Sequence, residues 1–121
     1  MALYFLETSA LVKLYVWEPG TDRLLPLVNA GPENRFAVVT ISAVEARSAL
    51  RRRQRAGDID QNTADTLLDA LQKHLETLFV QQPINDAVLG RATEMIDRYP
   101  LRAYDAIQLA GCLVLRSIGP Q

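Results

Sequence analysis

The stretch LYFLETSALVKL, residues 3–14, decides how this chain is built. Residues 2–6, ALYFL, are apolar without a break, and the run ends at the carboxylate of Glu7. An uninterrupted apolar run of this length predicts a strand covered on both faces. Thr8 and Ser9 follow, and apolar residues then recur at helical spacing, which predicts a helix over 9–17. That helix is expected to stop at Glu18-Pro19-Gly20, a strong breaker. A carboxylate therefore falls where a buried strand hands over to a helix. Helix capping is one reason to place polar groups there, with Ser9 or Thr8 as the cap. A metal site is another.

The rest of the chain repeats the alternation. A helical stretch over 21–30 ends at Gly31-Pro32, and the β-branched run FAVVTI over 36–41 predicts a second buried strand. Helices are expected over 43–56 and 60–77, the second carrying Ala64, Leu67, Leu68, Leu71, Leu75 and Leu78 on one stripe. A short strand over 78–81, LFVQ, precedes Pro83, and helices over 86–98 and 103–116 complete the pattern. Strands alternating with helices predict a parallel sheet with helices on both faces. In such open sheets, sites form at the carboxyl ends of the strands, which is where Glu7 lies.

Composition bounds the function. The chain has 121 residues, which suits one domain with one real core. A net charge of −1 gives no global attraction to nucleic acid, so any such binding needs a local patch. No apolar run approaches a membrane span, and ALYFL, cut off at once by an acid, makes a poor signal peptide. Cys112 is the single cysteine and has no internal partner, which fits a reducing cytoplasm. Its apolar surroundings, GCLVL, predict a buried inert thiol.

Two further acids occupy positions comparable to Glu7. Glu45 lies in TISAVEARSAL, in the first turn of the helix after the second strand. Asp105 lies in YPLRAYDAIQLA, in the first turn of the last helix. Each has a plain structural reading. Ser42 and Glu45 have the spacing of a capping box. Asp105 complements a helix dipole, and Glu7 could be neutralised by Arg102. Together they point further, because gathered carboxylates repel one another unless a cation neutralises them. Mg²⁺ and Mn²⁺ prefer carboxylate oxygen, and such ions activate water for attack on a phosphodiester. Thr8 or Ser9 could hold a metal-bound water.

Three motifs carry a resemblance. LYFLETSALVKLYVWEPG resembles the opening of PIN domains, particularly those of VapC-type toxin ribonucleases. TISAVEARSALRRRQRAGDI is similar to their second acidic helix, and YPLRAYDAIQLAGCL to their third acidic motif. The resemblance implies a three-layer α/β/α PIN-like fold with a central parallel sheet, over a single domain spanning 1–121. It further implies cytoplasmic, toxin–antitoxin-type cleavage of RNA with Mg²⁺ or Mn²⁺, a cognate antitoxin and a homodimer. By motif position, Glu7, Glu45 and Asp105 become catalytic metal ligands, with Thr8 and Ser9 behind them.

Two departures stand out. The family usually has aspartate where this chain has Glu7, and the extra methylene moves the carboxylate. Family members also continue into another strand bearing a fourth acid, whereas here no acid follows Asp105 and the sequence closes on SIGPQ. The domain is therefore expected to be incomplete at its C-terminus. Its first strand would be left with an unpaired edge, and a homodimer or larger assembly is expected in which the partner covers either this edge or the apolar helix Ile107–Leu115.

A basic cluster, Arg47, Arg51, Arg52, Arg53 and Arg55, falls on the second-strand helix. Arg47, Arg51, Arg52 and Arg55 are candidates for positioning RNA phosphates, against the alternative of a solvated helix face. His74, the single histidine, has no neighbours at ligand spacing, which disfavours a Ser-His-Asp hydrolase. The rival functional reading is a catalytically weakened or inactive PIN-like module that binds RNA or an antitoxin. A phosphoacceptor receiver domain is disfavoured, because the third strand ends in QQP and no lysine follows Lys73.

Overall fold

The computed structural model describes residues 2–118, apart from the side chain of Ile118; residues 119–121, the end of SIGPQ, lie outside it. Three strands, β1 (Ala2–Phe5), β2 (Asn34–Val39) and β3 (Phe79–Gln82), form a parallel sheet in the order β1-β2-β3. Between β1 and β2 run α1 (Thr8–Val12) and α2 (Thr21–Val28); between β2 and β3 run α3 (Ile41–Arg55) and α4 (Gln61–Thr77). After β3 come α5 (Asp86–Arg98) and α6 (Ala103–Ile118). The expected α/β architecture, a parallel sheet flanked by helices on both faces, is the one observed.

The two faces of β2 separate two cores, because successive side chains of a strand point in opposite directions. Phe36 and Val38 face a large core with Leu11, Leu50, Leu68, Leu71 and Leu75 from α1, α3 and α4. The register sets Tyr4 opposite Phe36 and Phe36 opposite Phe79, which makes an aromatic row across this face. Tyr4 and Phe36 stack with ring centroids 5.3 Å apart. Ala37 and Val39, both fully buried, face the other way, toward α6. There the core is small: Val88, Ala92, Ala106 and Ala110, with α5 packed along α6. Gly111 lies so close to Val39 that a β-carbon there would collide with the valine side chain.

Several expectations shift. β1 is not a fully buried strand: among the described residues it pairs only with β2, and Leu3 is 41% exposed. The first helix ends at Val12, after which i→i+3 bonds from Leu14 and Tyr15 tighten the chain. Its apolar periodicity still holds, since Val12 and Val16 are both buried. The break expected at Glu18-Pro19-Gly20 occurs, with Gly20 in the left-handed region at φ 104°. β2 begins two residues before the predicted run and stops at Val39, because Thr40 and Ile41 already turn into α3. Leu78 drops off the α4 stripe and is exposed, since the helix ends at Thr77.

Candidate functional site

Glu7 follows β1 in extended conformation (φ −75°, ψ 169°) and is itself the N-cap of α1. Its Oε1 accepts from the Ala10 backbone N–H at 2.8 Å and from the Ser9 hydroxyl. The cap expected of Ser9 or Thr8 is thus supplied by the glutamate, whose long side chain reaches back three residues. A cap of this kind contributes about 1 kcal/mol. Oε1 carries both bonds, and among the described residues Oε2 has no partner.

Glu45 is half-buried in α3, and Asp105 is exposed in the first turn of α6. The capping box expected of Ser42 and Glu45 does not form. Thr40 is the N-cap of α3, and Ser42, fully buried, turns its hydroxyl inward. Among the described residues, no ion pair reaches Glu7, Glu45 or Asp105, so Arg102 does not neutralise Glu7.

Two pockets share Glu7. One, of about 310 Å³, is lined by Phe5, Glu7, Asp105, Gln108, Leu109 and Cys112. Asp105, Gln108, Leu109 and Cys112 fall at i, i+3, i+4 and i+7, so they form one stripe of α6. The other, of about 270 Å³, holds Glu7, Thr8, Ser9, Glu18, Glu45, Arg52 and Tyr104 among its lining residues. Glu7 thus borders Asp105 on one side and Glu45 on the other. As the side chains lie, no three acidic, histidine or cysteine residues among those described stand close enough together to hold a metal ion. The donor type nonetheless suits Mg²⁺ or Mn²⁺: carboxylates that, among the described residues, form no ion pair, although Arg52 lines the pocket of Glu7 and Glu45.

Beneath the acids lies a closed circuit of hydrogen bonds. Thr8 Oγ1 donates to Ser42 Oγ at 3.1 Å and also meets the Tyr104 hydroxyl. Gln108 Nε2 donates to Ser42 Oγ and to Tyr104 Oη, both at 3.0 Å. Gln108 is only 5% exposed, and its Oε1 is a buried acceptor with no partner. Leaving such an atom unsatisfied costs about 1–3 kcal/mol. Sequence reading singled out Thr8 but assigned Ser42 only to a capping box, and it missed Tyr104 and Gln108. Periodicity marks them as a polar pair one helical turn apart, and nothing in spacing alone brings them to Thr8.

The arginines divide. Arg51 bridges to α4 through Asp65 at 2.9 Å and also donates to Gln54, while Arg53 pairs with Glu18. Arg47 and Arg55 are exposed. Arg52, also exposed, bonds Ser48 Oγ at 3.0 Å and lines the pocket of Glu7 and Glu45. His74 sits at a boundary, bonded through Nδ1 to the Tyr15 hydroxyl at 2.8 Å. Cys112 is half-buried rather than buried as expected, and it lines the pocket of Glu7 and Asp105; what burial it has raises its thiol pKa. No helix among the described residues is long and apolar enough to cross a membrane.

A parallel α/β sheet with acids at the carboxyl ends of its strands defines a class, and sequence comparison agrees. The profile of the PIN domain family matches residues 4–118, and the chain belongs to that family. Among solved structures, a chain of a toxin–antitoxin complex from Klebsiella pneumoniae superposes with a TM-score of 0.66. It is 21% identical, and the alignment covers 96% of this chain and 81% of that one, a likeness of fold. No curated protein matches the sequence.

Proposed function

We propose that this chain is a metal-dependent endoribonuclease of the toxin–antitoxin type, hydrolysing RNA phosphodiester bonds. The observation that carries the reading is the trio of Glu7, Glu45 and Asp105. They flank pockets with Glu7 in common, and among the described residues none of them forms an ion pair. In a PIN domain, acids left out of ion pairs suit a divalent cation. Glu7, Glu45 and Asp105 would hold Mg²⁺ or Mn²⁺, which supplies Lewis acidity and lowers the pKa of bound water. Ser9 holds Glu7 through Oε1, so the carboxylate is oriented rather than free to swing. Arg52 can take an RNA phosphate at the pocket rim, with exposed Arg47 and Arg55 extending the contact along α3. Arg51 contributes less, because its guanidinium is engaged with Asp65.

The partners follow from the same reading. The superposed Klebsiella chain comes from a toxin–antitoxin complex, which supports an antitoxin as the partner of this chain in the cytoplasm. The exposed β1 edge and exposed Leu109 on α6 support a homodimer.

The test is cleavage of a mixed RNA pool with Mg²⁺ or Mn²⁺ and with EDTA. The expected outcome is cleavage with the metal, none in EDTA, and loss of at least about a hundredfold for Asp105→Asn, which removes charge at constant size. Glu7→Asp keeps a good cap residue while shortening the reach of the carboxylate. A change in its rate at unchanged Tm assigns Glu7 to the chemistry. Full activity in EDTA, or undiminished cleavage by Asp105→Asn, overturns the metal mechanism. One observation favours a second reading, a weakened module that binds RNA or antitoxin without cutting. Glu7 is held back as a cap, and among the described residues no three acids gather. RNA binding with no cleavage at any metal concentration would select it.

A further inference from the structure

We propose that Trp17 is a stacking platform for an unpaired base of single-stranded RNA, set beside the basic stripe of α3. The inference rests on the reading of this chain as an RNA-binding PIN domain, and it needs neither cleavage nor a bound metal. Trp17 is 68% exposed. Tryptophan is highly buried on average, so an indole left this far in water offers a large apolar face to a partner. The chain holds it out on a rigid turn. Val16, one residue before, is buried, and its backbone N–H bonds Val12 O at 3.1 Å. Glu18, one residue after, donates its backbone N–H to Thr21 Oγ1 at 3.0 Å. Thr21 is buried, and its hydroxyl donates to Lys13 O at 3.0 Å. The Glu18 carboxylate is held by Arg53 of α3 and by Lys13. The backbone on both sides of the indole is thus fixed before any ligand arrives, and docking costs little ordering entropy.

The surroundings select the ligand. Glu18 lines the same pocket as Arg52, and its pairing with Arg53 fastens the turn to the C-terminal half of α3. Val44, Ser48, Arg52 and Arg55 recur at helical spacing, and all four are exposed. Arg52 and Arg55 on this stripe are placed to take phosphates. Electrostatics alone supply limited affinity, because Glu7, Glu18 and Glu45 line the same pocket and the net charge is −1. Stacking adds affinity without charge, since every base has a π-face to offer. A duplex keeps those faces between its own base pairs, so the contact requires a single strand.

Trp17 is the single tryptophan of the chain, so its fluorescence reports the contact directly. The experiment titrates the full chain in EDTA with a short mixed-sequence RNA strand, with the same strand annealed to its complement, and with inorganic polyphosphate. The single strand is expected to quench the fluorescence, and the other two to leave it nearly unchanged. Read from the anisotropy of a labelled strand, Trp17→Ala should weaken binding by about tenfold or more at unchanged Tm, and Trp17→Phe should restore most of it. Leu89→Ala, which trims an exposed apolar side chain on α5, serves as the control and should bind as the unmodified chain does. Equal quenching by duplex and single strand, or unchanged affinity in Trp17→Ala, overturns the platform while RNA binding stands. Fluorescence that shifts with the concentration of the chain itself and not with RNA assigns Trp17 to a contact with a second copy, and overturns the platform equally. Absence of RNA binding by the unmodified chain overturns the RNA reading itself, and the platform with it.

Discussion

The two faces of the sheet are held by different physics. On the side of α1, α3 and α4, the core is made of leucines, valines and an aromatic row, and stability comes from the apolar volume removed from water. On the side of α5 and α6, the core is mostly alanine, and cohesion comes from close approach of backbones, with Gly111 against Val39. A face of large side chains is weakened most by losing volume. A face of small ones is weakened by gaining it. The second face also carries Asp105, Tyr104 and Gln108. The closeness that leaves no room for a β-carbon at residue 111 brings α6 near enough to Phe5 and Glu7 to share a pocket.

The largest effect should come from the thick face. Leu50 is fully buried there, and Leu50→Ala is expected to cost about 2–5 kcal/mol in chemical denaturation. A loss below about 1 kcal/mol would mean the cavity collapses and this core is softer than its packing suggests. Next comes the thin face. Gly111→Ala is expected to destabilise by roughly 1–2 kcal/mol, because overpacking against Val39 outweighs the better helix propensity of alanine. Combined with Val39→Ala, its cost should shrink markedly, a coupling read from a double-mutant cycle. Strict additivity would show that the two faces do not differ as described.

A smaller effect separates the faces by pH. Tyr15 packs on the thick face beside His74, and burial raises its hydroxyl pKa well above the ordinary tyrosine value. The neutral form is therefore favoured in the folded chain. The sign follows: this stabilisation is intact below the unfolded tyrosine pKa of about 10 and is lost as pH rises from there toward the folded value. Tyr15→Phe should flatten the alkaline fall in Tm, and an unchanged slope would place the titrating group elsewhere.

Much of the architecture was legible in the residues. Apolar runs bounded by breakers marked all three strands, and the 3.6-residue stripe on α4 named its buried Ala64, Leu68, Leu71 and Leu75. The three motifs identified the family, and acids beside apolar segments singled out Glu7 at a strand end, Glu45 after the second strand and Asp105 in the first turn of the last helix; Glu45 proves to lie one turn further into α3 than expected. Errors fell where one local signal has two outcomes. Ser42-x-x-Glu45 reads as a capping box, yet burial of Ser42 sends its hydroxyl to Thr8 and Gln108 instead. ALYFL reads as buried on both faces, yet apolarity says nothing about how many neighbours a strand has, and among the described residues β1 has one.

By itself, then, the sequence determined the order and type of the elements, the family, and which acids stand beside apolar segments, because periodicity, breakers and motifs are local properties of a chain. Tertiary structure alone decided that Glu7 caps α1 while bordering both Asp105 and Glu45. It also decided which arginines are tied in ion pairs, and that residues 8, 42, 104 and 108 close one hydrogen-bonded circuit. The physical reason is distance along the chain. Ser42 and Tyr104 lie 34 and 96 residues from Thr8, and contacts of that span are set by how helices dock on the sheet, which local spacing does not encode.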